Sequence, residues 1–461
     1  MWTLADLVKG GRSRLSFPFR GRSRSYAEEV LGFAPGDQVM MRMKEGFPVA
    51  TTRAPGIYGV DWENRVDFDR LREYRLARVR EQLEASDLGA VLLFETSNIR
   101  YATSTHIGYW GFNKGERYAL VTRTGGPPRI WDFGSAAKAH RLQLPQFYDK
   151  TNSIGGNTGL QGAISPIVGL QRRAAEEIRS VLDEEGVGGM PLGVDVAETS
   201  VFLELQGAGI DVRDGQQIMV LAREIKSQDE ITLLTQACAM ADGVYQTIFE
   251  FLKPGVRESD IVALEHARLF EMGSEFVEAI NSIAGERCSP HPHVFSDRLI
   301  RPGDQAYFDI IHVHNGYRTC YYRTFVVGRA TQAQRDAFKR SREWMDAALD
   351  LVKPGTTTDQ IAVVWPKAEE FGFEDEMDAF GLQFGHGVGV GLHERPIISR
   401  LNSFDDPIEL KEGMLFALET YCPASDGRSA ARIEEEVVVT AEGPRVITLF
   451  PCEELMVANE Y

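Results

Sequence analysis

From Asp67 onward the apolar positions fall into a helical rhythm. Phe68, Leu71, Leu76, Val79 and Leu83 recur at roughly helical spacing behind Asp67, a residue type that caps helix N-termini. The continuous run at 90–94 (AVLLF) reads as a buried strand, and 98–103 (NIRYAT), 118–123 (YALVTR) and 128–133 (PRIWDF) extend a sheet. Residues 174–185 read as a helix and 191–195 (PLGVD) as another strand. Strands alternating with helices make 66–222 an α/β domain. Residues 1–65 have weak periodicity and form an N-terminal extension. Its basic stretch 12–24 reads as a solvated tail, or alternatively as an arm around a dimer partner. The segment 223–231 (REIKSQDEI) marks a boundary. Beyond it come a long helix to about 252, a helix over 259–272, a strand within 276–300 followed by a loop with His291 and His293, and helices over 333–352 and 358–371.

Two stretches in 223–461 repeat one another. Runs rich in β-branched and aromatic residues at 305–313 and 319–327 flank Asn315-Gly316, a strong hairpin signal. Gly303 is followed six residues later by Asp309, and Gly413 six residues later by Glu419, each carboxylate inside an apolar run. Upstream, 251–255 (FLKPG) and 351–355 (LVKPG) each precede a helical pattern. These correspondences predict two similar α+β halves related by an internal pseudo-twofold, with carboxylates of both halves meeting near the axis.

Composition narrows the class. The 461 residues are 43% hydrophobic and 25% charged, ordinary for a soluble globular chain, and the net charge of −17 argues against a general nucleic-acid binder. No apolar run approaches the roughly 20 residues of a spanning helix. The basic start lacks the apolar core of a secretory signal. Five scattered cysteines fit a reducing cytoplasm better than a disulfide framework.

The chemistry collects in the second half. An ionisable residue inside an apolar strand is costly unless something pairs with it. Asp309, Glu419 and Glu434 are three such residues, and 385–396 (GHGVGVGLHERP) delivers His386 and His393 on a glycine-rich backbone. One strand histidine with strand carboxylates is an oxygen and nitrogen set suited to Zn, Mn, Fe or Co. The domain at 66–222 holds no grouping of histidines and carboxylates and reads as a substrate wall or dimer surface. His312 and His314 alternate onto the strand face opposite Asp309, which favours a structural role for both.

RPGDQAYFDI, YRTF, GHGVGVGLHERP, EGMLFALE and RIEEEVVVT occur in the order found in the pita-bread superfamily of creatinase, aminopeptidase P and prolidase (peptidase family M24), which the chain resembles from Arg223 onward. The resemblance implies a pita-bread catalytic domain and a five-ligand metal site of two Asp, one His and two Glu. Asp309, His386, Glu419 and Glu434 match four of these. The fifth position, an Asp that bridges two metals in the family, is Cys320 here. Cys320 then reads as a thiolate ligand, as a nucleophile or as an inert buried residue. The implied cofactor is one divalent ion per chain, Zn, Fe or Mn. The catalytic histidines of the family correspond to His393 and to one of His291 and His293, with spacing favouring His293; Arg432 corresponds to a supporting arginine. The implied function is hydrolysis of a small amide or Xaa-Pro dipeptide-like substrate by metal-activated water, with Glu419 as base. The alternatives are a β-elimination lyase with Tyr321 or Tyr322 as base, a metal-free creatinase-like C–N hydrolase, and a non-enzymatic binding module. LREYRLAR, NIRYAT and IWD in the N-terminal half resemble the DddP-type dimethylsulfoniopropionate lyases, but Ile311 and Cys320 stand where that group has Asp. The partners expected are a small-molecule substrate and a second copy of the chain, with no nucleic acid and no membrane.

Overall fold

The computed structural model describes residues 66–108, 110 and 116–461. The readings made for 1–65, the extension and its basic stretch, lie outside the described residues. Among the described residues there are three sheets, and no helix is long and apolar enough to cross a membrane.

The first sheet runs Ser153–Gly155, Arg129–Asp132, Tyr118–Thr122, Ala90–Leu93, Leu192–Val194, Val212–Asp214. Its central strand Ala90–Leu93 is buried on both faces, which is why it reads as an unbroken apolar run. Val91 and Leu93 pack with Leu71, Val79 and Leu83 of the helix Phe68–Glu84, whereas Ala90 and Leu92 pack with Ile178 and Leu182 of the helix Leu170–Glu184. Asp67 caps the first of these helices by accepting the N–H groups of Asp69 and Arg70.

One expectation for this region needs correction. Residues 98–103 are not a strand but the last six residues of the eight-residue helix Thr96–Thr103. Ile99, Tyr101 and Thr103 suggested a strand by propensity, but local capping and burial decide otherwise. The Glu95 carboxylate accepts the Asn98 N–H at the start, Ser104 takes the left-handed conformation at the end, and both faces are buried. The region holds one buried histidine–carboxylate pair, and no cluster of such residues, among the described residues. His140 Nε2 lies 3.1 Å from Asp132 Oδ2, and Arg117 Nε lies 3.3 Å from the same oxygen, all three side chains being buried.

The second sheet runs Met456–Ala458, Tyr322–Val327, Gln305–His314, Phe276–Ala284, with Tyr317–Thr319 also paired to Gln305–His314. Asn315 (φ 49°) and Gly316 (φ 89°) both sit in the left-handed region, as the tight hairpin turn demands. The returning strand is interrupted at Cys320 and Tyr321. The register nevertheless holds across the gap: Thr319 pairs with His312 and Tyr322 with Asp309. The third sheet runs Glu394–Ile398, Gly385–Gly387, Leu415–Pro423, Ala430–Thr440, Gly443–Val446.

The helices Gln228–Phe251 and Glu258–Glu271 cover the second sheet, and Gln332–Leu349 covers the third. The helix expected over 358–371 stops at Ala362, and only a 3₁₀ turn, Ala368–Phe371, follows. Pro366 lies between them, lacks an N–H and disfavours helical backbone at Trp365. The second and third sheets are tied together. Thr324 Oγ1 donates to Arg432 O (2.6 Å) and accepts from Arg432 N (2.9 Å), and the Arg323 guanidinium donates to Glu434 O (2.5 Å).

Local geometry recurs at the two sequence signatures. Gly255 and Gly355 both have positive φ (89° and 88°), and their N–H groups bond Ile300 O and Leu410 O at 2.9 Å each.

His312 is structural in its contacts: it is fully buried, with Nε2 3.0 Å from Ala237 O and Nδ1 3.1 Å from Ser274 Oγ. Burial lowers its pKa to about 4. The unfolded chain takes up this proton as pH falls through about 6.5, and the folded chain only near 4. Stability is therefore lost with falling pH across that window. Between pH 7 and 4.5 we expect His312 alone to account for about 2 kcal/mol. Urea unfolding of the wild type and His312→Asn at both pH values checks this, since the variant should lose less stability on acidification.

Candidate metal centre

Asp309 projects from the middle of Gln305–His314 and is flanked in register by Asn281 on one side and Tyr322 on the other. Asn281 Nδ2 donates to Asp309 Oδ2 (2.9 Å) and to the Tyr322 hydroxyl (2.8 Å). At the interruption of the returning strand, Cys320 Sγ points to Asp309 Oδ1 at 3.6 Å, while its N–H donates to Glu436 Oε1 (2.8 Å). Glu436 also accepts from Thr319 Oγ1 (2.6 Å), so a buried carboxylate stands in for the missing ladder bonds.

The third sheet supplies the rest. Gly385–Gly387 carries His386, paired on one side with Leu415–Pro423, which carries Glu419; Glu419 in turn is directly opposite Glu434 on Ala430–Thr440. His386 Nε2 lies 3.5 Å from Glu419 Oε1 and 3.7 Å from Glu434 Oε1. Ligand atoms of Cys320, His386 and Glu434 all lie within 4.8 Å of one another.

A cavity of about 510 Å³ opens on this cluster. Asp309, Cys320, His386, Glu419, His293, His393 and Arg432 line it, with an apolar wall of Ile311, Phe380, Phe384, Leu392 and Ile397. His291 sits behind that lining: its Nε2 is 2.9 Å from the Tyr322 hydroxyl, and its ring stacks on His293 with centroids 3.9 Å apart. Tyr322 faces the cavity, whereas Tyr321 turns into the core and donates to Asp242 Oδ1 (2.7 Å). Arg432 lies over the Tyr322 ring, 4.1 Å from its centroid, and its guanidinium donates to Glu419 Oε2.

The electrostatics describe a site short of positive charge. Burial, reinforced by Glu419, pushes Asp309 up to about 7, and burial with Glu419 pushes Glu434 well above the carboxylate range. Burial and the neighbouring carboxylates likewise raise the Cys320 thiol. Burial opposes a charge on His386, but Glu419 and Glu434 outweigh it and push the imidazole up to about 10. The cavity histidines go the other way. Burial lowers His393 to about 4 and, with Arg432, lowers His293, so both are neutral imidazoles at neutral pH.

The structure thus brings together Asp309, Cys320, His386, Glu419, Glu434, His293 and His393, whereas Tyr321, one of the two tyrosines offered as a base, lies away from them. Asn281, Phe380, Phe384 and Glu436 were not singled out. Asn281 becomes visible only through the strand register that sets it beside Asp309, and Glu436 only through the hairpin interruption.

Metallopeptidase family M24 matches residues 232–441. A probable dipeptidase PepE of Mycobacterium bovis is 30% identical over 280 residues, covering 59% of this chain and 72% of that protein. The chain belongs to metallopeptidase family M24. Another relative, the dimethylsulfoniopropionate lyase DddP of Roseovarius nubinhibens, is 25% identical over 84% of this chain and 87% of that one. The crystal structure of dipeptidase PepE from Mycobacterium ulcerans superposes with a TM-score of 0.66, at 23% identity, covering 86% of this chain and all of that one. That likeness shows the pita-bread prolidase fold.

M24 membership implies a divalent metal, and the donor set fits one. His386 Nε2 and both Glu434 carboxylate oxygens are buried without a hydrogen-bond partner, which is costly unless a cation joins them.

Proposed function

We propose that this M24 protein is a metal-dependent hydrolase of a small amide or Xaa-Pro dipeptide-like substrate, working with one divalent ion. The observation that carries this reading is the set of buried ligand atoms on His386 and Glu434 that lack a hydrogen-bond partner and lie with the Cys320 thiol beside an open cavity. Asp309, Cys320, His386, Glu419 and Glu434 would hold the ion. A bound divalent ion lowers the pKa of its water to about 7 and polarises a carbonyl.

The protein's own groups supply the remaining steps. Glu419, oriented by Arg432, takes a proton from the water whose oxygen adds to the carbonyl carbon and returns it to the amine nitrogen as the C–N bond breaks. Neutral His293 and His393 donate N–H groups to a substrate carboxylate or to the oxygen that gains charge. Ile311, Phe380, Phe384, Leu392 and Ile397 hold an apolar substrate face and keep bulk water out. Two structural readings accompany this one. Residues 66–222 and 223–461 are read as two domains that share part of their core, and the recurring geometry at Gly255 and Gly355 supports a pseudo-twofold in the second.

A second reading, a β-elimination lyase, draws on Tyr322. Its hydroxyl faces the same cavity between Asn281 and His291 and is placed to take a proton from a carbon next to a carboxylate. The relationship to a dimethylsulfoniopropionate lyase along most of the chain also favours it. Parallel assays of metal-loaded protein separate the two. We expect proline release from Xaa-Pro dipeptides and none after chelation. An alkene product from dimethylsulfoniopropionate without proline release would replace the hydrolase reading by the lyase.

A further inference from the structure

The segment 223–226, which marks the boundary in the sequence, has no part in the chemistry above. Its two cations nevertheless reach the loop that carries the histidines. Lys226 Nζ lies 2.9 Å and Arg223 Nε 3.1 Å from the carboxylate of Glu394, and all three side chains are buried. Gly391 N–H donates to the same carboxylate at 2.7 Å. The glycine loop is shaped around it: a Cβ on Gly389 would lie 2.7 Å from Glu394 Oε2 and would press on the held carboxylate.

The arrangement reaches outward in two directions. Arg223 Nη1 donates to Asn98 Oδ1 (2.5 Å), and Asn98 Nδ2 to Asp195 Oδ2 (2.9 Å), beside the first sheet. Lys226 N donates to Gly413 O (2.9 Å), in the turn six residues before Glu419. On the loop's other side Arg318 N donates to Gly389 O (2.8 Å), and the Arg318 guanidinium donates to Val390 O.

Two cations and one anion buried together are a poor source of stability, because desolvation offsets their attraction. What they give is a fixed position. We infer that Glu394, clamped by Arg223 and Lys226, is a positioning residue for His393, its chain neighbour. His393 stands with its ring centroid 4.7 Å from that of His386. The clamp ties the placement of His393 to the first sheet and to the start of the Glu419 strand. The inference rests on His393 facing substrate as proposed above.

Glu394→Gln in the full, metal-loaded chain tests this. It keeps the size of the side chain and removes the charge both cations hold. We expect faster amide hydrogen exchange confined to 387–393 and an unchanged metal content. The kcat for whichever substrate is turned over should fall on the order of 10-fold to 100-fold with KM little changed, the scale of a small misplacement. Lys226→Met, which leaves the Arg223–Glu394 pair, should give the same pattern more weakly and serves if Glu394→Gln does not fold. Unchanged exchange in 387–393, an unchanged kcat in a folded variant, or activity lost only in proportion to metal would each overturn the inference. Exchange and metal content are read without substrate, so a failure of the hydrolase reading stays distinct from a failure of the clamp.

Discussion

His386→Ala should bind metal at least about 100-fold more weakly and lose turnover with it. Groups that merely orient a metal ligand are worth about 10–100-fold in affinity, so loss of the ligand itself exceeds that range. The geometry gives the reason. His386 Nε2 is the one nitrogen among the candidate ligands and stands between Glu419 at 3.5 Å and Glu434 at 3.7 Å. Removing it leaves two buried carboxylates facing one another. Arg432 still holds Glu419, but both Glu434 oxygens remain without a partner. The variant should also be less stable by roughly 3 kcal/mol, the scale for breaking a buried ionic set. Isothermal titration with Zn²⁺ and urea unfolding of the same preparations check both effects. Affinity within a few-fold of wild type would remove His386 from the ligand set.

Cys320→Asp should bind a second ion. Cys320 Sγ already stands 3.6 Å from Asp309 Oδ1 and within 4.8 Å of the His386 and Glu434 ligand atoms. A carboxylate there adds two hard oxygen donors to a site that holds three carboxylates, and it restores the residue type that bridges two metals in the pita-bread superfamily. Without metal the added charge is buried among like charges, so the metal-free variant should be less stable than metal-free wild type. Saturating Mn²⁺ should then stabilise the variant more than the wild type, because two bound ions contribute through linkage rather than one. Thermal unfolding with and without Mn²⁺ measures that difference.

Much of this site could be read from residue order, because four of the five ligands break a local rule, whereas Cys320 stood out only through the resemblance. Asp309, Glu419 and Glu434 are carboxylates within β-branched runs, and His386 lies between glycines; only a shared partner makes such placements tolerable. What stayed hidden depends on pairing. Asn281 looks like any polar strand residue until the register puts it beside Asp309. Glu394 and Lys226 are 168 positions apart, and nothing local announces that they meet. Tertiary packing also overrode propensity at 98–103, where a capping Glu95 and burial on both faces hold a helix in residues that favour strands. At 358–371 the helical pattern of apolar positions continued past Pro366, but the backbone could not.

On this reading a mixed thiolate, imidazole and carboxylate set holds a single ion. Elemental mass spectrometry on the wild-type chain, purified without chelators, tests it most directly when run beside Cys320→Ser. We expect one divalent ion per chain in the wild type and its loss or sharp depletion in Cys320→Ser. Two ions per chain, one ion fully retained in Cys320→Ser, or none in a protein that still turns over substrate would contradict this reading.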